Sequence, residues 1–178
     1  ILTEQLRERK AGQTIKIWCS ASSTGEEPYS LAMTAVESFN TYTPPVRILA
    51  TDIDTNVLAT AQAGIYSLNQ LENFSDAQLK RFFLKGTGQN AAFARIRPEL
   101  RNLVIFKQLN LLDRTWPLKG PFDTIFCRNV MIYFDKATQH QLLDKFAPLL
   151  AADGLLYVGH SESFQYSQNP FKLRSKTV

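Results

Sequence analysis

Five short apolar runs, rich in β-branched and aromatic residues and bounded by turn-forming residues, recur along the chain. Runs of this kind are typical of buried strands. The five predicted strands span residues 15–20, 46–51, 103–109, 122–127 and 155–160. Helical periodicity fills three of the intervals, at about 28–40, 55–63 and 136–150. Because strands and helices alternate, the pattern predicts an α/β protein with a doubly wound, largely parallel sheet.

Local signals mark where these helices begin and end. Asp54 and Asp135 precede the second and third helical patterns and are expected to cap them. Gly64 follows the second pattern, where a glycine commonly terminates a helix.

Residues 64–102 interrupt the alternation. They contain the helix start "SDAQLKRFF", in which Ser75 and Gln78 suit a capping box, then the loop "KGTGQN" and the alternating "AFARIR". This is too much structure for a connecting loop, so we predict an inserted subdomain at the edge of the main sheet, made of a helix and a small antiparallel hairpin. Within it we expect Phe93–Ile96 to pair with 103–106.

Composition narrows the class of protein. With 178 residues, 44% apolar and 20% charged, the chain is expected to form one globular domain. It has no apolar run of the ~20 residues that a membrane span needs, and its start, "ILTEQLRERK", has neither Met nor a signal-peptide core. We therefore expect a fragment of a longer cytoplasmic protein without membrane insertion. The net charge of +4 is too small to indicate nucleic acid.

The two cysteines lie in strand-like runs. Cys19 and Cys127 are therefore predicted to be buried, reduced thiols rather than a disulfide or a nucleophile. Without clustered histidines they make no zinc site, and no metal is expected.

The first strand, turn and helix, "IWCSASSTGEEPYS", carry the most informative chemistry. In an open α/β sheet the ligand lies beyond the carboxyl ends of the strands, next to this turn. The turn lacks the G-x-G-x-x-G of a dinucleotide site, and Glu26 and Glu27 would repel a phosphate at the helix N-terminus. A cationic ligand without phosphate is favoured, and S-adenosylmethionine, with its sulfonium and α-ammonium, fits. The alternative is that both glutamates only complement the helix dipole.

The ends of the later strands supply further candidates. Asp52 stands at the tip of the second strand, where a carboxylate can accept hydrogen bonds from a ribose diol, or else only shape the turn. After the third strand, Asn110 is a candidate to read the adenine edge and Leu111 to cover its face.

The fourth strand is followed by "RNVMIYF". Its Arg128, Asn129 and Tyr133 are expected to face the reacting end of the ligand, with a structural role as the alternative. His160 ends the fifth strand; because no G-x-S-x-G elbow accompanies it, a Ser–His hydrolase is not indicated, and His160 is interpreted as a structural or pocket-rim residue.

The segment 81–107 is strongly basic, with Glu99 as its single acid. Its basic residues are Arg81, Lys85, Arg95, Arg97, Arg101 and Lys107. The run is either a solvated face or a docking surface for an acidic protein. RNA is disfavoured because the segment lacks interleaved exposed aromatic residues.

Four motifs in order, "SASSTGEEPYSLAM", "ATDIDTNVLATAQAGIY", "FDTIFCRNVMIYFDK" and "GLLYVGHSES", resemble the CheR-type chemotaxis methyltransferases. The resemblance runs from about residue 15 to the C-terminus. It implies a Rossmann-like domain with an inserted β-subdomain that uses S-adenosylmethionine to methylate glutamates on bacterial chemoreceptors. In the family a small helical domain normally precedes this one and contributes contacts to the cofactor, and on this resemblance we expect residues 1–178 not to include it.

The resemblance also assigns residues. By motif, those that contact the cofactor would be Glu27, Asp52, Asn110, Leu111, Arg128 and Asn129, with Tyr133 close to the transferred methyl. In some members the insertion binds the receptor's C-terminal tail peptide through residues that would here be Lys85, Gly86, Gly88 and Arg95. Lys85 stands where Arg is usual, and an ammonium lacks the planar fork that binds a carboxylate bidentately.

Two rival functions remain open at this point. One is a methyltransferase acting on a small molecule or RNA, which would share the cofactor residues but not the acceptor. The other is a non-catalytic adaptor that binds receptor tails or senses the cofactor.

Overall fold

The computed structural model describes residues 12–159 and 171–172. Within these residues the strands are β1 (Ile15–Cys19), β2 (Val46–Asp52), β3 (Ile65–Ser67), β4 (Phe83–Lys85), β5 (Phe93–Ile96), β6 (Val104–Gln108), β7 (Phe122–Cys127) and β8 (Leu150–Val158). The α-helices are α1 (Glu26–Phe39), α2 (Thr55–Ala63), α3 (Asp76–Phe82), α4 (Pro98–Arg101) and α5 (Lys136–Phe146). None of the helices in this part of the chain has the length and apolarity to cross a membrane.

The main sheet has five strands in the order β6-β2-β1-β7-β8, and all of its neighbouring strands run parallel. The chain winds outward from β1 to one edge and then returns to add β7 and β8 on the other side. This order confirms the predicted doubly wound sheet. A ligand crevice is expected where the winding reverses, at the carboxyl ends of β1 and β7.

Helices cover both faces of this sheet. On one face, Ile17 of β1 packs in a buried cluster with Val36 of α1. On the other, Trp18 packs in a second cluster with Leu142 and Phe146 of α5. The alternation along β1 follows from the two-residue period of a strand, and it fixes α1 and α5 on opposite sides.

The insertion contains a separate three-stranded antiparallel sheet in the order β3-β5-β4. The prediction of a small antiparallel sheet is confirmed, but the predicted pairing of β5 with 103–106 is wrong. β5 pairs with β3 on one side and β4 on the other, while β6 joins β2 in the main sheet. The short connection from β4 makes an antiparallel neighbour the nearest partner for β5, and both of its edges are then occupied.

Most of the predicted helix ends are confirmed. Asp54 accepts a hydrogen bond from the backbone N–H of Asn56, and Asp135 accepts one from Thr138, both at 2.7 Å. Gly64 ends α2 at a φ of 61°. The predicted capping box is also present, since Ser75 and Gln78 exchange hydrogen bonds at the start of α3.

The starts of α1 and β8 and the end of α5 differ from prediction. α1 begins two residues earlier than expected, at Glu26, and α5 ends at Phe146 instead of 150. Pro148 lies in the short 3-10 turn that follows α5, and without an N–H it cannot continue an α-helix. β8 starts at Leu150, five residues earlier than the predicted strand at 155–160.

Cys19 and Cys127 are both buried and form no disulfide with each other, as predicted.

Candidate active site

The loop between β1 and α1 is tied to both neighbouring strands. The backbone N–H of Ser20 donates to the carbonyl of Phe126 in β7, and that of Ser22 donates to the carbonyl of Thr51 in β2, both at 2.9 Å. The buried Thr51 hydroxyl also donates to the Ser20 carbonyl at 3.2 Å and accepts from Nε1 of Trp18 at 2.9 Å. The loop therefore has a defined path across the carboxyl edge of the sheet.

The one glycine of this loop is required by its conformation. Gly25 has a φ of 96° and precedes the first residue of α1. A Cβ there would lie 2.9 Å from Cβ of Ala61 and 3.1 Å from the hydroxyl oxygen of Tyr66. Gly25 thus allows the loop to pack closely against α2 and β3.

The two glutamates of the first turn have different surroundings. Glu26 is exposed, and both of its carboxylate oxygens accept from the Thr24 hydroxyl, at 2.7 and 2.8 Å. The Glu27 side chain is only 22% exposed, and its Oε2 lies 3.4 Å from Nη1 of Arg128. The buried thiol of Cys19 is close enough to the Glu27 carboxylate to lower the pKa of that carboxyl.

The electrostatics of Glu27 favour a cationic ligand. Burial raises the pKa of its carboxyl, although Arg128 and the Cys19 thiol act in the opposite direction. Burial, together with the charge of Glu27, also raises the pKa of Cys19, so this thiol stays protonated as a donor. A half-buried carboxylate with incomplete compensation is stabilised by an added positive charge, and disfavours a phosphate.

Asp52 organises the neighbouring loop. One of its carboxylate oxygens accepts from the backbone N–H of Ser23 at 2.8 Å, and the other from that of Asp54 at 3.1 Å. Asp52 therefore shapes the turn. Because a carboxylate oxygen can accept two hydrogen bonds, these contacts leave capacity for a ribose diol.

Asn110 and Leu111 begin the loop after β6. The Asn110 side chain accepts from the N–H of Leu112 at 2.9 Å and donates to the Asp113 carboxylate at 3.2 Å. Leu111 is buried among the residues of the second core cluster. Asn110 thus has structural contacts within this loop, and Leu111 has them in the core.

Lys145 of α5 holds the loop after β6 by hydrogen bonds, and the sequence did not predict this role. Its Nζ donates to the carbonyls of Leu111 and Asp113, at 3.1 and 2.5 Å, and lies 4.0 Å from the ring centroid of Trp116. Nothing in the local pattern of α5 distinguishes this lysine from a solvated one.

The segment after β7 places its candidate residues near the surface. The Arg128 side chain is 46% exposed, Asn129 has a φ of 58°, and Tyr133 is 79% exposed. A buried amide, that of Gln139, fixes the 3-10 turn by donating to the carbonyls of Met131 and Phe134 at 2.9 and 3.0 Å. Of the residues that follow β7, the structure brings Arg128 to Glu27 and leaves Tyr133 outward. His160 lies outside the described residues.

The turn at the tip of the insertion depends on both of its glycines. A Cβ on Gly86 would clash with the backbone carbonyl of Asn90, and Gly88 has a φ of 57°. Lys85 ends β4 and is exposed.

Three of the six basic residues in 81–107 bond to backbone carbonyls. Arg95 donates to Ala63 at 3.0 Å, Arg97 to Lys80 at 3.2 Å and Arg101 to Gln62 at 3.0 Å. The basic run is therefore partly structural, because Arg95 and Arg101 hold the insertion to α2 and Arg97 contacts α3 within the insertion.

The model of the family described as CheR methyltransferase, SAM binding domain, matches residues 1–178. The chain belongs to this family. Chemotaxis protein methyltransferase 2 of Pseudomonas aeruginosa is 49% identical over 172 residues, 97% of this chain and 61% of that protein. The Escherichia coli chemotaxis protein methyltransferase is 49% identical over 170 residues, 96% of this chain and 59% of that protein. This CheR-family chain thus spans about 60% of the length of these curated relatives.

Solved structures support the fold. The DszA carbon methyltransferase matches with a TM-score of 0.55 at 16% identity, over 88% of this CheR-family chain and 31% of that one. The residues present fit S-adenosylmethionine. The loop between β1 and α1 has no phosphate-binding glycine pattern, and the half-buried carboxylate of Glu27 in the first turn of α1 suits a cation. No cluster of three or more metal-ligating side chains occurs among residues 12–159 and 171–172.

Proposed function

We propose that the full-length protein transfers the methyl group of S-adenosylmethionine to glutamate side chains of bacterial chemoreceptors, giving methyl esters and S-adenosylhomocysteine. The observation that carries this proposal is the half-buried Glu27 paired with Arg128 at the point where the sheet reverses. Two relatives that are chemotaxis methyltransferases, each 49% identical, support it.

The cofactor's polar groups have candidate partners in this chain. Glu27 would bind the α-ammonium and Asp52 the ribose diol. Asn110 and Leu111 would contact the adenine from the loop after β6, and Asn129 would line the crevice beside Arg128. When bound, S-adenosylmethionine supplies a methyl group made electrophilic by its sulfonium.

The acceptor needs little chemical help from the protein. A glutamate with a pKa of about 4.3 is ionised at neutral pH and is already a nucleophile, so no general base is required. Positioning its oxygen in line with the methyl–sulfur bond can supply on the order of 7–11 kcal/mol of barrier reduction. Arg128 and Tyr133, both exposed to a protein substrate, are assigned to orient the acceptor carboxylate or the cofactor.

The partner is the cytoplasmic domain of a chemoreceptor, so the reaction takes place in the cytoplasm without insertion into the membrane or binding to nucleic acid. The glutamate-rich substrate helix suits the basic insertion. The turn formed by Lys85, Gly86 and Gly88, with Arg95 on the adjacent strand, is the candidate site for the receptor's tail peptide.

Methyl transfer with radiolabelled cofactor tests the proposal. The full-length protein, incubated with receptor cytoplasmic domains, should label the receptor, and mild alkali should release the label as volatile methanol because a carboxyl methyl ester is base-labile. Receptor whose candidate glutamates are changed to alanine serves as the control. Label that survives alkali, or that appears in RNA, would instead support the rival methyltransferase.

A further inference from the structure

The central strand residue of β3 reaches across to the first loop of the main domain. Tyr66 is 5% exposed, and its hydroxyl donates to the backbone carbonyl of Thr24 at 2.8 Å. Thr24 and Gly25 are the last two residues before α1, and Glu27 is the second residue of that helix. The contact therefore acts on the backbone that carries Glu27.

The Tyr66 hydroxyl also packs closely against Gly25. The Tyr66 hydroxyl oxygen lies 3.1 Å from the position that a Cβ on Gly25 would take. Burial and the nearby charge of Glu26 raise the pKa of Tyr66 far above its usual value, so its hydroxyl remains a donor throughout the physiological range. Removing the hydroxyl would leave the Thr24 carbonyl without this donor and open space beside Gly25.

The backbone of Tyr66 is part of the antiparallel sheet of the insertion. Its backbone pairs with Ala94 in β5, beside the register pair of Ile65 and Arg95. Its ring meets that of Tyr29 edge-on, with centroids 6.4 Å apart. Tyr66 thus joins the antiparallel sheet of the insertion to the start of α1 by direct contact.

We propose that Tyr66 is a positioning residue for the cofactor: through the Thr24 carbonyl, the insertion holds the loop that orients Glu27. This inference rests on the proposed function in that it takes S-adenosylmethionine as the ligand of Glu27. It gives the insertion a role in cofactor binding besides any docking of a protein partner.

Comparing Tyr66→Phe with Tyr42→Phe in the full-length protein tests this role. Tyr42 provides a matched control because its hydroxyl also donates to a backbone carbonyl of the insertion, that of Arg81, at 2.9 Å. Calorimetry should show the Kd for S-adenosylhomocysteine raised roughly 2- to 12-fold by Tyr66→Phe, the range for loss of a neutral hydrogen bond. Tyr42→Phe should leave it unchanged. In turnover, Tyr66→Phe should raise KM for S-adenosylmethionine and leave kcat unchanged at saturation.

Hydrogen exchange on the cofactor-free proteins separates this inference from the proposed function. Tyr66→Phe should speed amide exchange in residues 20–29, and Tyr42→Phe should not. Equal exchange in the two variants, or faster exchange without a change in Kd, would overturn the positioning role. If the unmutated protein fails to bind S-adenosylhomocysteine, the proposed function fails, and the exchange comparison still decides whether Tyr66 holds the loop.

Discussion

Nη1 of Arg128 lies 3.4 Å from Oε2 of Glu27, although the two residues are 101 positions apart in the chain. The pair joins the first turn of α1 to the end of β7. Since the Arg128 side chain is 46% exposed, water screens this ion pair, and its own contribution to stability is small. The Arg128 guanidinium instead favours the ionised form of the Glu27 carboxyl and orients it at the edge of the sheet.

Glu27→Gln should weaken binding of S-adenosylhomocysteine, whose α-ammonium would lose a charged partner. The expected loss is about 1.5–3 kcal/mol, the range for a hydrogen bond to a charged group. Calorimetry measures it, with Glu26→Gln as the control because Glu26 is exposed and bonds to Thr24. Equal losses in the two variants would contradict the assignment of the ammonium to Glu27.

The pH dependence of binding should report the raised pKa of Glu27. Because burial raises this pKa, the carboxyl takes up a proton at a higher pH than a free glutamate would. The affinity for S-adenosylhomocysteine should fall as the pH is lowered through that raised pKa, and Glu27→Gln should remove the step. An identical pH profile in the variant would rule out Glu27 as the titrating group.

The same shift predicts the sign of a stability change. With a folded pKa above the unfolded value, the contribution of Glu27 to stability is present below the unfolded pKa and is lost as the pH rises through the folded pKa. Glu27→Gln should therefore remove this loss, so the free energy of unfolding of the cofactor-free variant should rise relative to that of the unmutated protein from acidic to neutral pH. Urea titrations of both proteins at several pH values measure this difference, and a fall of the variant relative to the unmutated protein would refute it.

Asp52→Ala should reduce the affinity for S-adenosylhomocysteine more than Asp54→Ala does. We expect a loss of about 1.5–3 kcal/mol from the ribose hydrogen bonds, besides any effect of releasing the Ser23 N–H. Asp54→Ala removes the cap of α2 and should cost about 1 kcal/mol of stability without this loss of affinity. Unchanged affinity in Asp52→Ala would leave Asp52 as a turn-forming residue only.

Lys145→Met should lower both Tm and cofactor affinity, because the carbonyls of Leu111 and Asp113 lose their hydrogen bonds to this lysine. Thermal unfolding and calorimetry measure the two effects. Lys119→Met changes an exposed lysine in the same region and should alter neither. A change in Tm without one in affinity would show that the loop after β6 does not contact the cofactor.

Local signals in the sequence were sufficient for much of the fold. The cap at Asp54 and the capping box at Ser75 were predictable because they involve neighbours within three residues. The pairing of β5 was not, since several apolar strands were available and only the tertiary arrangement selects β3 and β4. The end of α5 was hidden because apolar residues continue through 146–150 into β8.

The candidate site likewise has one residue whose place the sequence predicts and others whose contacts only the tertiary structure shows. The position of Glu27 after the first strand predicted its place at the crevice, because chain order alone puts it there. The contact of Tyr66 with Thr24 spans 42 positions and leaves no periodic trace in the sequence. The burial of Leu111 was equally hidden, since it depends on packing against α5.

The order of strands in the main sheet makes the site a seam between an early and a late part of the chain. β2 and β6 lie on one side of β1, and β7 on the other side brings Arg128 beside Glu27. A ligand that bridges this seam binds the assembled sheet and not either part alone, so it stabilises the closure of a loop of about a hundred residues. Cofactor binding is thus expected to stabilise the least local strand pairing of the main sheet, and to protect β1 and β7 together against unfolding.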